Sequence, residues 1–233
     1  MAELKQILIT GAGKGIGYEL TLKALKEGHI VYALSRNVNA LIPHKLTYGD
    51  NLIVLPFDLS KSESYKILSE QIVVSTSSLD IIINNAGLLI NKSFLDLQET
   101  DWNILWDVNV MGPVRLIKAL ISFISTSTHI VNISSMGGFQ GSLKFPGLSA
   151  YSTVKGALSI LTECLSIEAA LNNCSVNALC LGAVQTEMLE QAFPGYQAPV
   201  KANEMADYIL NFAINNGRFM SGKIIPVSIS NPN

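Results

Sequence analysis

The 233-residue chain contains few charged residues: Lys, Arg, Asp and Glu make up 15% of it, and the formal net charge is −2. This charge balance argues against nucleic acid and against an anionic membrane surface as partners. No apolar run reaches the roughly 18 residues that a transmembrane helix requires. A strand-like apolar run begins already at Leu4, so no signal peptide is expected. We therefore expect a cytoplasmic protein without a membrane or nucleic-acid partner.

Cysteine is also scarce. The three cysteines, Cys164, Cys174 and Cys180, form neither a CxxC pair nor a spacing typical of metal ligands. We expect reduced thiols, as in a cytosolic protein, and no metal site. Hydrophobic residues, by contrast, make up 48% of the sequence, which is typical of a sheet buried on both faces.

Short apolar runs alternate with longer amphipathic stretches along the whole chain. This alternation predicts an α/β fold, a Rossmann-type doubly wound parallel sheet of about seven strands with helices on both faces, in a single domain over residues 1–233. One long helix is expected over residues 100–125, and Ser60 with Glu63 forms a capping-box pattern before another helix. The expected strands are residues 4–10, 29–35, 52–57, 79–84, 129–134, 174–181 and 223–229.

A glycine-rich turn joins the first expected strand to the first helix. Thr10 is followed by Gly11-Ala-Gly-Lys-Gly-Ile-Gly17. Glycines let the backbone turn tightly and approach a pyrophosphate, while a helix N-terminus offers free N–H groups and a favourable dipole. The pattern therefore predicts a dinucleotide-binding domain.

The end of the second expected strand indicates which dinucleotide binds. An acidic residue there usually takes a ribose 2′-hydroxyl, whereas an arginine takes a 2′-phosphate. The strand ends Leu34-Ser35-Arg36 with no acid, and Lys14 in the glycine loop adds a second cation. A guanidinium pairs well with phosphate oxygens, so we expect NADP(H). The alternative is that both cations are solvated surface charges.

Tyr151 and Lys155 are four residues apart in a stretch that is expected to be helical up to about Leu171. On a helix the two side chains share one face. A nearby ammonium favours the phenolate and so lowers the pKa of a tyrosine from its reference value of about 10. Such a pair suits general acid–base catalysis, although the same spacing also occurs on ordinary helices.

Taken together, the motifs are similar to those of the short-chain dehydrogenase/reductase family, in its NADP(H)-preferring form. The similarity extends over nearly the whole chain, from residue 4 to about residue 227. It rests on TGxxxGxG at Thr10–Gly17, Asn-Asn-Ala-Gly at 84–87, Asn109, Ser135 and Tyr151-x-x-x-Lys155, in the order and approximate spacing of the family.

The resemblance implies catalytic roles for Asn109, Ser135, Tyr151 and Lys155. Tyr151 would exchange the proton, Ser135 would hydrogen-bond the substrate oxygen, and Lys155 would lower the pKa of Tyr151 and hold the nicotinamide ribose. Asn109 would bind a water of a proton relay, unless it is an ordinary polar residue of an exposed helix. Strand alternation sends Ser134 and Ser135 in opposite directions, and the family usually has its serine just before a turn of small residues, which favours Ser135.

The cofactor-binding residues implied by the resemblance stand at the carboxyl ends of the expected strands. Asp58 matches a position that contacts adenine, whereas Asn84 is expected to brace the sheet. The implied set is Gly11, Lys14, Gly15, Ile16, Gly17, Ser35, Arg36, Asp58, Leu59, Asn85, Ala86, Gly87, Tyr151, Lys155, Gly182, Val184 and Thr186.

The implied activity is that of an oxidoreductase that transfers hydride between NADP(H) and a small-molecule carbonyl or secondary alcohol, with Tyr151 as general acid or base. One alternative is a 3-oxoacyl carrier-protein reductase, for which the three arginines of the chain offer little positive surface. Another is a non-catalytic NADP(H)-binding regulatory protein. The family also implies a homodimer or homotetramer.

The sequence departs from the family pattern near the substrate side. Leu181 stands where the family often has proline, and Tyr151 follows Ser135 by 16 positions, a few more than usual. Residues 187–201 are expected to form a short substrate lid. Its apolar side chains suggest an apolar-walled pocket, with ordinary packing as the alternative; they are Met188, Leu189, Phe193 and Tyr196.

Overall fold

Seven parallel strands form the central sheet in the computed structural model, which describes residues 3–229. Their order is β3-β2-β1-β4-β5-β6-β9, so the predicted doubly wound sheet is confirmed. The predicted domain also includes residues 1–2 and 230–233, which lie outside the described residues. The strands of the described chain are β1 (Gln6–Thr10), β2 (Ile30–Ser35), β3 (Leu52–Pro56), β4 (Ile81–Asn84), β5 (His129–Ser135), β6 (Ser175–Leu181), β7 (Val184–Gln185), β8 (Val200–Lys201) and β9 (Ile224–Val227).

Helices cover both faces of the sheet. Alternate residues of β1 face different helices: Ile7 and Ile9 pack in the core under α1 and α8, and Leu8 packs in the core under α3 and α5. Because both faces are buried, the strands have continuous apolar runs instead of apolar–polar alternation. The helices are α1 (Gly15–Lys26), α2 (Lys45–Tyr48), α3 (Ser62–Val73), α4 (Glu99–Trp106), α5 (Gly112–Ala119), α6 (Ser149–Leu165), α7 (Glu187–Ala192) and α8 (Ala202–Asn215).

The long helix predicted over residues 100–125 is wrong as a single element. α4 is followed by a π-helical turn over Asp107–Met111 and then by α5. Pro113 gives a physical reason, because it has no N–H to donate to the carbonyl of Asn109, four residues before it. The wide turn buries Asn109, whose side chain reaches the backbone of Leu88 just after β4.

Other boundaries differ less. The predicted capping box of Ser60 and Glu63 does not form, because the Ser60 hydroxyl donates to Asp58 Oδ1 at 2.8 Å. α6 ends at Leu165, several residues before the predicted Leu171. The strand ends agree with prediction to within two residues. Among residues 3–229, no helix combines the length and apolar character needed to cross a membrane.

The strand order reverses between β1 and β4, where the two halves of the sheet wind in opposite directions. In open α/β sheets the crevice at this point, outside the carboxyl ends of the strands, is the usual ligand site. β7 and β8 pair with each other in parallel; β7 precedes the segment 187–201, and β8 forms the last two residues of that segment. The fold therefore brings the predicted lid to the same edge of the sheet as the glycine loop.

Candidate active site

A cavity of about 830 Å³ opens at the carboxyl ends of the strands. Most of the predicted site residues line it, and the two that do not are Gly17 and Asn109. The predicted residues on its wall are Gly11, Lys14, Gly15, Ile16, Ser35, Arg36, Asp58, Leu59, Asn85, Ala86, Gly87, Ser135, Tyr151, Lys155, Gly182, Val184 and Thr186.

The glycine loop is bound to the segment that follows β4. Asn85 Nδ2 donates to Thr10 O at 2.9 Å, and Ala86 N donates to Thr10 Oγ1 at 3.0 Å. Gly11 has a φ of +70°, a left-handed conformation that glycine adopts at little cost. A Cβ atom on Gly17 would lie 2.3 Å from Gly11 O, so Gly17 serves the packing of the loop and not the cavity wall.

The N-terminus of α1 faces the cavity at Gly15. No side chain caps this helix and its first turn carries no acid, so its free N–H groups and dipole favour an anion there. Sequence reasoning missed Glu187, which also lines the cavity. A Cβ atom on Gly15 would lie 3.5 Å from Glu187 Oε2. In the sequence, the one indication of this contact is that Glu187 directly follows Thr186, a predicted cofactor-binding residue.

Two exposed cations, Lys14 and Arg36, line the end of the cavity where β1 and β2 finish. Arg36 also influences Asp58 at the end of β3. Burial alone would raise the pKa of the Asp58 carboxyl, but hydrogen bonds from Ser60 and the charges of Arg36 and Lys61 outweigh burial and lower that pKa. This end of the cavity therefore combines an ionised carboxylate with two positive side chains.

The hydroxyls of Ser135 and Tyr151 meet deeper in the cavity. Ser135 ends β5, Tyr151 lies in the first turn of α6, and the Ser135 side chain is close enough to lower the pKa of the Tyr151 phenol. Burial raises the pKa of Tyr151 to about 12, and the Ser135 side chain offsets only part of the increase. The prediction of a lowered tyrosine pKa is therefore wrong for this arrangement, because burial disfavours the charged phenolate and raises the pKa of Tyr151.

Lys155 is buried and shares the inner face of α6 with Tyr151. Its Nζ donates to Ile133 O at 2.9 Å and lies 5.8 Å from the centroid of the Tyr151 ring. Burial lowers the pKa of Lys155 to about 8. Tyr151 and Lys155 thus share one face of α6, as predicted, and the Lys155 ammonium is directed to the backbone of β5.

Ser134 and Ser135 point to opposite sides of β5, as strand alternation requires. The buried Ser134 hydroxyl donates to Lys155 O at 2.9 Å and so ties the sheet to α6. Ser135 Oγ accepts a hydrogen bond from Gly137 N at 3.1 Å. Of the two, only Ser135 has its hydroxyl next to Tyr151.

Asn109 is buried behind the cavity wall. Its Nδ2 donates to Leu88 O at 3.0 Å and to Leu105 O at 2.9 Å, and its Oδ1 accepts from Leu88 N at 3.2 Å. A Cβ atom on Gly87 would lie 3.0 Å from Asn109 Oδ1 and 3.2 Å from Lys155 Nζ. The amide therefore fixes the segment after β4 beside the lysine, and its place in a proton relay stays a prediction.

Apolar side chains form much of the remaining wall, and sequence reasoning found only the part in the lid. Met188, Leu189, Phe193 and Tyr196 line the cavity as the lid interpretation expects. A second group comes from the segment after β4, the helical region that follows it, and the loop before α6. For the loop before α6, the sequence did offer a signal, because apolar residues stand within a loop. The second group consists of Leu88, Leu89, Ile104, Val108, Leu143, Phe145 and Leu148.

Hydrogen bonds join the loops around this apolar wall. Asn91 Nδ2 donates to Ala192 O at the end of α7 at 2.8 Å, and Lys92 N donates to Gly147 O at 3.0 Å. At the other end of α7, Thr186 Oγ1 accepts from Leu189 N at 3.3 Å and caps the helix. The lid segment is thereby attached to the loop after β4.

None of the three cysteines lines the cavity. Cys164 is exposed, Cys174 and Cys180 are buried, and all three are free thiols. Burial raises the pKa of the Cys174 thiol to about 11. Within residues 3–229, no cluster of His, Cys, Asp or Glu side chains is arranged to hold a metal ion.

A close approach of two glycines sets the distance between α6 and the turn after β5. A Cβ atom on Gly138 would lie 2.5 Å from Gly156 N and 2.5 Å from the Lys155 carbonyl carbon. On the helix side of the same contact, a Cβ atom on Gly156 would meet its nearest neighbour, Gly138 O, at 3.5 Å, an ordinary van der Waals distance. Only Gly138 therefore has no room for a side chain.

Gly138→Ala should lower the free energy of unfolding by about 1–3 kcal/mol, because the added methyl forces backbone apart. The matched variant Gly156→Ala should be neutral or stabilise the protein by up to about 1 kcal/mol, because it replaces a helical glycine where there is space. Urea unfolding of both variants measures the difference. Equal destabilisation by the two substitutions would contradict this account of the contact.

Comparison with known proteins places the chain in a family. A family model described as short chain dehydrogenase matches residues 5–197. A 3beta-hydroxysteroid dehydrogenase of Mediterraneibacter gnavus is 30% identical over 193 residues, which cover 81% of this chain and 69% of that protein.

Two of the similar solved structures are each 27% identical to this chain. A 4-hydroxyisoleucine dehydrogenase complexed with NADH has a TM-score of 0.84 and covers 96% of this chain and 97% of its own. ElxO with NADP bound has a TM-score of 0.83, with coverages of 97% and 98%. The chain belongs to the short-chain dehydrogenase family of oxidoreductases.

Proposed function

We propose that the chain is an NADP(H)-dependent oxidoreductase that transfers hydride between the cofactor and a carbonyl or secondary alcohol, with Tyr151 as general acid or base. The observation that carries the proposal is the meeting of the Ser135 and Tyr151 hydroxyls beside Lys155, in the cavity that the glycine loop also lines. Similar proteins support the cofactor class, since one solved structure contains NADH and another contains NADP.

The residues of the cavity fit a dinucleotide. The uncapped N-terminus of α1, with Gly15 and Ile16, would take the pyrophosphate, because its N–H groups and dipole favour an anion. Asp58 and Leu59 would meet the adenine, and Lys14, Ser35 and Arg36 the adenosine 2′-phosphate. Asn85, Ala86 and Gly87 would line the adenosine ribose. Tyr151 and Lys155 would hold the nicotinamide ribose, and the nicotinamide would lie beside Gly182, Val184 and Thr186.

The chain's own residues would position the substrate and move its proton, while the bound cofactor supplies or accepts the hydride. With a pKa near 12, Tyr151 is a protonated phenol at neutral pH and so can donate its proton in the reduction direction. The Ser135 hydroxyl would bond the same substrate oxygen. The ammonium of Lys155, held by Ile133 O, would stabilise the negative charge that the departing proton leaves on Tyr151.

We also propose that residues 187–201 act as a substrate lid within one domain. The support is their position: Met188, Leu189 and Phe193 line the cavity, and the Asn91 amide holds the end of α7. β7 and β8 fix both ends of the segment. A lid of this kind excludes water from the reacting atoms.

The cofactor preference can be measured by calorimetry. The native chain should bind NADPH at least about tenfold more tightly than NADH, because Arg36 and Lys14 can make charge-assisted hydrogen bonds to a 2′-phosphate. Arg36→Asp should reverse the preference. The matched control is Arg218→Asp, which changes an exposed arginine that does not line the cavity and should leave both affinities unchanged. Equal binding of the two cofactors by the native chain would reject NADP(H) specificity.

Tyr151→Phe removes the hydroxyl and keeps the ring. If Tyr151 exchanges the proton, turnover should fall roughly 10²–10⁴-fold, with little change in cofactor affinity. Lys155→Met should reduce both. As a control, Tyr208→Phe removes a phenol on α8 outside the cavity and should leave turnover intact. Steady-state kinetics and calorimetry on the three variants separate a catalytic role from a structural one, and near-normal turnover in Tyr151→Phe would favour a non-catalytic binding protein.

The raised pKa of Tyr151 also predicts a direction-dependent pH profile. Reduction uses the protonated phenol and should be sustained across neutral pH, whereas alcohol oxidation uses the phenolate and should increase as the pH rises toward about 12. Initial rates in both directions over a pH series from about 6 to about 10 test this. An oxidation rate that does not change with pH would remove Tyr151 from the rate-determining proton transfer.

We propose a homodimer or homotetramer that uses the outer faces of α4 and α6. Trp106 on α4 and Ile160 on α6 are exposed apolar residues that do not line the cavity. Light scattering at micromolar concentration should report more than one subunit, and Ile160→Lys should shift the protein toward the monomer. Ile42→Lys introduces the same change at an exposed isoleucine elsewhere and should not. A native monomer would reject the proposed assembly.

A further inference from the structure

The part of the cavity beyond Ser135 and Tyr151 is apolar on several sides. One wall comes from the segment after β4 and the helical region that follows it, a second from the loop before α6, and a third from the lid. These three separate segments together enclose an apolar part of the cavity, which we call the apolar chamber. Representative side chains are Leu89, Ile104, Leu143, Phe145, Leu189 and Phe193.

Positive charge is confined to other parts of the cavity. Within the described residues, the cationic side chains on its wall are Lys14, Arg36 and Lys155. Lys14 lies in the glycine loop and Arg36 at the end of β2, where the proposed cofactor phosphates bind. The ammonium of Lys155 is bonded to Ile133 O. A carboxylate that entered the apolar chamber would therefore lose its hydration without gaining a positive partner.

The lysines of the neighbouring loops are engaged elsewhere. Lys144 Nζ donates to Phe139 O and Ser142 Oγ, both at 2.7 Å, and so folds back on its own loop. Lys92 pairs with Asp101 at 2.7 Å. Neither side chain lines the cavity. Lys92 is therefore neutralised by a carboxylate, whereas Lys144 keeps its charge but is hydrogen-bonded to its own loop and does not line the cavity.

The rim of the chamber is apolar as well. Leu143, Phe145 and Tyr196 line the cavity while 57%, 61% and 49% of their surfaces remain exposed. Single exposed apolar residues are normal, but a group around one opening is typical of a ligand-binding surface. A long apolar substituent that leaves the chamber would cover these side chains.

We propose that the substrate is an uncharged carbonyl compound, or the matching secondary alcohol, whose larger substituent is apolar and extends through the chamber to this rim. This inference rests on the proposed function. Reduction moves the hydride of NADPH to the carbonyl carbon and the Tyr151 proton to the carbonyl oxygen, giving the secondary alcohol and NADP⁺. Short carbonyl compounds fill too little of the chamber, and compounds with a carboxylate on the larger substituent leave that charge unpaired.

A series of methyl ketones tests the size and the charge separately. For 2-butanone, 2-hexanone and 2-decanone, kcat/KM should rise up to about fourfold for each added methylene, because each buries more apolar surface. 9-Oxodecanoate matches 2-decanone except that a carboxylate replaces the terminal methyl group. Its kcat/KM should be about tenfold lower, because the carboxylate loses part of its hydration at the apolar rim without gaining a positive partner.

A pair of variants places the effect in the chamber. Phe145→Arg puts a cation on the exposed rim, so it should raise kcat/KM for 9-oxodecanoate about tenfold and lower it for 2-decanone. Phe219→Arg is the matched control, because Phe219 is 69% exposed and does not line the cavity. It should leave both values unchanged. Thermal melts of the two variants confirm that each is folded.

The outcomes distinguish this inference from the proposed function. Turnover of 9-oxodecanoate or 2-butanone at least as efficient as that of 2-decanone would overturn the inference and leave an oxidoreductase. If no ketone is reduced, the proposed function fails. Saturation-transfer NMR with 2-decanone and 9-oxodecanoate then still tests the inference. Binding of 2-decanone alone supports the inference, whereas any other binding pattern rejects it. An identical response of Phe145→Arg and Phe219→Arg would also reject it.

Discussion

The buried ammonium of Lys155 is the constraint on which the candidate active site depends. An interior charge is costly without partners, and burial lowers the pKa of this lysine to about 8. Its Nζ is held by Ile133 O at 2.9 Å, while its own carbonyl accepts the Ser134 hydroxyl at 2.9 Å. The two bonds tie α6 to β5. They thereby place Tyr151, one turn earlier on the same helical face, next to Ser135 at the end of the strand.

Small residues let these elements come close enough. Gly138 admits α6 against the turn after β5, and Gly87 leaves room for both Lys155 Nζ and Asn109 Oδ1. The π-helical turn before Pro113 then directs the Asn109 amide at the backbone of Leu88. Close backbone packing at these glycines therefore permits the geometry that the hydrogen bonds of Lys155 and Ser134 hold in place.

Much of the fold and of the candidate site follows from local patterns. Strand and helix periodicity predicted the parallel sheet, the glycine loop predicted the uncapped helix N-terminus, and a spacing of four predicted that Tyr151 and Lys155 share a face. The broken helix at Asn109 was not predicted, because the apolar period continues across the break. The protonated state of Tyr151 was not predicted either, because the sequence shows the neighbouring lysine but not the depth of burial, which has the larger effect.

The sequence by itself determined the class of sheet, the place of the glycine loop and the residues that belong together in the short-chain dehydrogenase pattern. These depend on residue types at short spacings, which local backbone geometry converts directly into structure. Only the tertiary structure decided which loops enclose the apolar chamber, that Glu187 lies beside Gly15, and that Lys155 is directed to Ile133. Those features join segments far apart in the chain, and their contacts and burial arise only when the sheet brings the segments to one edge.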